Sequence, residues 1–235
     1  DVYKRQEYTI TPEAANFDAT NNVIEIIGMH NLAGNIQTVA DNPAVPIITV
    51  KVFGCHLENG CINIQNHRFL AELHGNQLDE CGILIGLGDV VGNVVGGDIH
   101  VIQQLPNYNT TDTMLIVGNR IFPGYPGHNP RISWNNRFSY FDISNNFISS
   151  YSANGLINLS RIKDGDGTNV ICNNSFEVTS LVRRHKAIWV SDTIRANLKM
   201  KVENNAFHAI TDPSSPQIVV VAVSYTHLTL PTNGC

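Results

Sequence analysis

Residues Ile143-Ser144-Asn145-Asn146-Phe147-Ile148 form a short phrase: an aliphatic, two residues, an Asn, one residue and an apolar residue. The phrase returns as Ile171-Cys172-Asn173-Asn174-Ser175-Phe176 and as Val202-Glu203-Asn204-Asn205-Ala206-Phe207. Upstream it carries Gly at its third place, in Val52-Phe53-Gly54-Cys55-His56-Leu57, Leu73-His74-Gly75-Asn76-Gln77-Leu78, Val90-Val91-Gly92-Asn93-Val94-Val95 and Ile116-Val117-Gly118-Asn119-Arg120-Ile121. Ile27-Gly28-Met29-His30-Asn31-Leu32 reads as the first copy. The fourth residue is Asn in six of the eight, and the copies recur roughly every 25 residues. A fixed period in that range is the mark of a repeat array, in which each unit buries its apolar face only by stacking on the next.

A second short strand, rich in β-branched residues, lies between the copies. Examples are Ile62-Asn63-Ile64, Ile99-His100-Val101, Ile132-Ser133-Trp134, Ile157-Asn158-Leu159, Ile188-Trp189-Val190 and Ile218-Val219-Val220. No segment has a helical period of useful length. Two strands per repeat predict an all-β solenoid of about eight coils, with parallel strands about 4.8 Å apart. The recurring Asn is expected to turn the chain in the left-handed conformation. Stacked Asn side chains are expected to hydrogen-bond up the column. The pattern resembles the right-handed parallel β-helix repeat family, which includes pectate lyases, polygalacturonases and phage tailspikes. The resemblance covers residues 23–221. It implies a right-handed parallel β-helix, truncated at both ends.

The two termini read differently. Asp1-Val2-Tyr3-Lys4-Arg5-Gln6 back-translates to DNA whose reverse complement encodes Ala222-Val223-Ser224-Tyr225-Thr226-His227-Leu228. That DNA is the inverted end repeat of transposase-based sequencing libraries. Residues 1–6 and 222–235 are therefore read as adapter-derived, and residues 7–221 as a single β-helix domain.

The chain has 235 residues, 43% of them hydrophobic, 15% charged and 28 of them Asn, with a formal net charge of −5. Such a chain is long enough for a sizeable core. The acidic balance argues against a nucleic-acid partner, and no apolar run is long enough for a membrane span. Cys55, Cys61, Cys81 and Cys172 lack metal-ligand spacing and are expected as buried free thiols. No metal and no cofactor is expected.

Connections from the Asn-bearing strand to the next strand take four or five residues in the first four repeats and nine to twelve in the last four. Loops gathered on one edge of a repeat array mark its binding face. The wall carries His128, Tyr151, Arg183, Arg184 and His185. Arg side chains there suit carboxylate or sulfate groups. By alternation Gln37, Asn63, Leu84, His100, Ser133, Asn158, Trp189 and Val219 point outward in one column. Trp189 is the expected sugar platform, with His100 and Asn158 beside it. Outward on the other strand stand Ile26, Lys51, Glu72, Asp89, Leu115, Asp142, Val170 and Lys201, and a surface charge ladder explains Lys51 and Glu72.

These placements give a candidate glycan site: Asp142 or His128 as acid or base, Arg161 and the Arg183 cluster holding substrate charge, and Trp189 stacking on sugar. Arg161-Ile162-Lys163 and Gly127-His128 match two short polygalacturonase motifs. The Asn-Thr-Asp motif and the upstream Asp pair of those enzymes are missing, so their activity is not carried over. The acidic cluster that holds Ca²⁺ in pectate lyases is missing too. The expected function is an extracellular or cell-surface polysaccharide lyase or glycoside hydrolase. The alternative is a non-catalytic glycan-binding β-helix, such as a tailspike or adhesin, associating as a homotrimer.

Overall fold

The computed structural model describes residues 8–10, 22–30, 34–38, 47–65, 69–102, 113–151, 154–179, 185–191, 197–209 and 218–223. Among them every regular element is a strand, and every strand pair is parallel. The strands form three sheets of nine, eight and seven, each ordered along the chain, so the fold is a parallel β-helix. Among the described residues no helix is long and apolar enough to cross a membrane.

From the second repeat onward each contributes three strands where the sequence predicts two. The six-residue phrase breaks in its middle: Phe69–His74 belongs to the eight-stranded sheet and Gln77–Leu78 to the seven-stranded one. The break falls at the third position of the phrase, not at the Asn in the fourth. Gly54, Gly75, Gly92 and Gly118 have φ between 61° and 68°, and Asn145, Asn173 and Asn204 between 53° and 57°. Gly28, at φ 64°, takes this place in the first repeat. The phrase there slips by one residue from the sequence reading: Ile26 pairs with Val52, and the fourth place falls to Met29.

The fourth-position Asn residues do form a buried ladder. The Asn93 amide and its Nδ2 both donate to Asn119 Oδ1, at 2.9 and 3.0 Å. Asn119 repeats this toward Asn146, and Asn146 toward Asn174. The second Nδ2 hydrogen reaches the aliphatic carbonyl one repeat earlier, as from Asn119 to Val90 at 2.8 Å. Every buried amide in the column is thereby satisfied, which a buried polar group requires. Cys55, in the same column, accepts the pattern with its amide donating to Asn76 Oδ1.

Alternation fills the interior. Ile48–Phe53 alternates buried and half-buried residues along its whole length. Trp134 lies in the core as expected, fully buried, its Nε1 donating to the Asn136 carbonyl at 2.7 Å. The outward column of the nine-stranded sheet runs Asn63, Leu84, His100, Ser133, Asn158, Trp189. Its next register partner is Ala222, because Val219 pairs with Lys186. On the eight-stranded sheet Glu25 takes the place expected for Ile26. Lys51 lies 3.5 Å from Glu25 and 3.8 Å from Glu72, so the charge ladder is present.

The expectation of four free thiols fails at two of them. Cys61 and Cys81 form a disulfide with Cα atoms 5.2 Å apart. Cys61 directly precedes Ile62–Ile64, Cys81 stands two residues before Ile83–Ile85, and Ile62 pairs with Ile83 in register. Stacking thus brings the two cysteines to within the span of a disulfide. Cys55 and Cys172 are free.

Candidate functional site

The loop between Arg120–Ile121 and Ile132–Asn136 does not simply extend outward. It folds back over the short turns of earlier repeats. Gly124 sits so close to the backbone of Asp79, Glu80 and Gly96 that a Cβ there would collide with all three. A loop from the long-connection half therefore covers an edge of the short-connection half.

That overlap encloses a groove of about 370 Å³. Its floor includes Ile62, Ile83, Leu84 and the Cys61–Cys81 disulfide, and Glu80, Asp98, His100, Tyr125 and His128 also line it. The apolar floor with a few polar groups has the make-up of a small-ligand site. Tyr125 and His128 stack with centroids 4.7 Å apart, and the His128 amide donates to the Tyr125 carbonyl at 3.2 Å. Tyr125 is 54% exposed, so one ring face stays open to solvent.

Asp98 organises the polar wall. The Arg131 amide donates to its Oδ1 at 3.0 Å, and Arg131 Nε lies 3.8 Å from its Oδ2. His128 Nε2 lies 3.8 Å from Asp98 Oδ1, while His128 Nδ1 is buried with no partner. Burial pushes the His100 imidazole below its ordinary pKa; Arg131 adds to this, and Asp98 opposes it. His100 is accordingly neutral at pH 7, which leaves it able to accept a proton.

The residues singled out in the sequence separate into groups. His128 and His100 line the groove. Asp142 stands on the eight-stranded sheet between Leu115 and Val170, with its Oδ1 buried and unpartnered. Arg161 is exposed near the end of Asn154–Ile162, opposite Asn135. The three expected catalytic residues therefore stand on three different supports. Lys163, from the same triplet as Arg161, is buried and donates to the Phe138 carbonyl at 2.8 Å, a structural pin. Asn158 and Trp189 adjoin in the outward column, but Lys186 Nζ sits 3.0 Å from the Trp189 ring centroid and covers one face. Tyr151 is exposed. Arg183 and Arg184 lie outside the described residues, as does the side chain of His185.

Glu80 and Asp98 were not found as a site from the sequence; Asn63, the middle residue of Ile62–Ile64, was placed in the outward column but not chosen as a site residue. Glu80 and Asp98 stand in the short turns, where no loop length drew notice. The available signal was the alternation Asp98-Ile99-His100, which sends both polar side chains to one face.

A second histidine–carboxylate pair lies on the neighbouring edge. His56 Nε2 meets Asp79 Oδ2 at 2.8 Å, and Gln77 Nε2 donates to Asp79 Oδ1 at 2.8 Å. Burial raises the Asp79 pKa, but the bonds from Gln77 and His56, with the His56 charge, outweigh it and hold the carboxyl below its ordinary value. Among the described residues no group of three metal-ligating side chains gathers there. Comparison with known protein families, with curated proteins and with solved structures finds no match to this chain.

Proposed function

We propose that this β-helix is an extracellular carbohydrate-active protein, a polysaccharide lyase or glycoside hydrolase that works in the groove beside Asp98. One observation carries the reading. Asp98 joins Arg131 and His128 at the edge of a concave, apolar-floored groove, with an open Tyr125 face stacked on the histidine. Aromatic faces stack on sugar rings, and hydroxyls bond to the surrounding polar atoms. His128, with Nε2 3.8 Å from Asp98, and neutral His100 are the proton-transfer groups of this reading. The Cys61–Cys81 disulfide supports an oxidising, extracellular setting.

This reading moves the chemistry from Asp142 and Arg161 to Asp98 and His128. The likeness to pectate lyases and polygalacturonases stays at the level of the coil. The test is a polysaccharide panel, read by new reducing ends and by the ultraviolet absorbance of unsaturated products. Turnover that falls at least 100-fold in His128→Ala and Asp98→Asn supports it. Turnover unchanged in both variants removes the groove from the chemistry.

The dispersal of Asp142, Arg161 and His128 favours a second reading. A glycan-binding β-helix without catalysis, such as a tailspike or adhesin, needs the Tyr125 platform and no converging carboxylates. Retained glycan binding with no turnover on any polymer selects it.

A further inference from the structure

The groove has a charge pattern that its glycan must match. Glu80 lines it, is exposed, and makes no ion pair or hydrogen bond with any described residue. Asp98 lines it as a second carboxylate, accepting from the Arg131 amide at 3.0 Å, with Arg131 Nε and His128 Nε2 each 3.8 Å from its oxygens. Asn63 also lines it, and its Oδ1 accepts no hydrogen bond. Among the described residues that line it there is no Lys or Arg. The groove therefore presents two carboxylates beside the polar groups of His100, His128 and Tyr125, with no ammonium or guanidinium of its own among these residues.

We infer that the groove selects a glycan bearing protonated amino groups, such as a glucosamine oligomer, over one bearing carboxylates. The inference rests on the glycan reading above, keeps its hydrolase and binding forms but not the lyase, whose elimination needs a uronate, and adds the ligand's charge. A uronate chain entering this site would face Glu80 and Asp98 with no lining cation to hold its carboxylates, which electrostatic complementarity penalises. An ammonium would meet Glu80 as a charge-assisted donor and give its remaining protons to water or a hydroxyl of the chain. Burial, which holds the His100 imidazole below its ordinary pKa, disfavours a positive charge there. The sign is the reverse of what the Arg183-Arg184 cluster leads one to expect from the sequence.

Three oligosaccharides of equal length test this by titration calorimetry at pH 6 and low salt: glucosamine, N-acetylglucosamine and galacturonate oligomers. The expected order places glucosamine tightest, at least tenfold above galacturonate, with affinity falling as salt rises. Glu80→Gln is expected to weaken glucosamine binding about threefold to tenfold and to leave the N-acetyl oligomer unchanged. Glu80→Lys is expected to raise galacturonate above glucosamine. Thermal unfolding of each variant checks that the exposed substitution leaves the fold intact. Galacturonate binding as tightly as glucosamine, or glucosamine binding indifferent to both Glu80 variants, overturns the inference while the glycan reading stands. Binding of none of the three oligomers overturns both.

Discussion

Five of the described bends turn on glycine, from Gly28 to Gly118, and the last three turn on Asn145, Asn173 and Asn204. The two halves solve the same backbone problem with different chemistry. Gly54, Gly75 and Gly92 leave open space outside the bend. Asn145 and Asn173 are exposed there, and their Nδ2 groups reach Ser144 Oγ and Cys172 Sγ. The halves differ again at the next corner. In the early repeats Gly82, Gly96 and Gly97 press against neighbouring backbone, and a disulfide ties two coils together. In the later repeats the connections at this corner are longer in sequence, and the described one, residues 122–131, lies back over the early turns. The groove arises where the two meet, because a long loop needs a trimmed neighbour to lie on. Neither half alone would enclose it.

The ladder spans both halves, and breaking it is expected to have the largest effect. Asn119→Ala strips acceptors from the Asn93 amide and Nδ2 and a donor from the Val90 carbonyl. Buried groups left unpaired cost about 1–3 kcal/mol each, so a loss of about 4 kcal/mol is expected in urea denaturation. A loss under about 1 kcal/mol would mean that the column relaxes around the gap. Next comes the disulfide, which belongs to the short-turn half. Closing a loop with a sequence separation of 20 is worth about 3 kcal/mol through the unfolded chain. Cys61→Ser with Cys81→Ser should lower stability by that amount and leave the Asn ladder in place. Loss of all cooperative unfolding in this double variant would show that the ladder cannot hold the early coils alone.

The bends sharpen the comparison at a smaller scale. Gly92→Ala and Asn145→Ala should each cost about 1 kcal/mol, since a Cβ is strained at positive φ. Gly92→Asn should cost much less than Gly92→Ala, which exchanges the chemistry of one half for that of the other. Equal losses for the two Gly92 variants would mean that the early bends require glycine for packing as well as conformation.

The smallest expected effect is electrostatic. Burial raises the Asp89 pKa, against the hydrogen bond from the Leu115 amide, with Glu72 adding to the rise. A raised folded pKa means that the folded state binds the proton more tightly, so the ionised carboxyl costs stability above it. Asp89→Asn keeps the acceptor for Leu115 and removes the charge. Stability at pH 7 should rise by about half a kcal/mol, and the gain should vanish below the ordinary carboxylate value of 3.8. Asp79 has the opposite sign: its lowered pKa stabilises the fold above that value, and the contribution is lost as pH falls. Denaturation midpoints across pH 3 to 7 in Asp89→Asn and Asp79→Asn should therefore diverge in opposite directions.

Much of the coil was legible in the chain because its constraints repeat. An apolar residue every second position, an Asn every coil and a small residue at each bend recur at one period, and each copy corrects the reading of the others. Even so, the first copy was read one residue late, because His30 has the polarity expected of the ladder and Met29 does not. The third strand of each coil was hidden because a bend of one residue leaves no gap in the apolar pattern. Trp134 was placed in the core and His128 and His100 were chosen as site residues by alternation and loop length alone.

What the chain could not disclose is which residues meet across coils. Asp98 and Glu80 lie in short turns with no motif, and Cys61 and Cys81 look unrelated at their spacing. Strand stacking brings the cysteines together, and the Phe122 to Arg131 loop folds back onto earlier turns to bring His128 to Asp98. The period of a repeat is a local property, set by backbone conformation and burial at each coil, so the sequence alone determined the solenoid and its Asn column. The groove depends on where an aperiodic loop comes to rest, and only the tertiary structure decided that, because such a contact has no register to repeat.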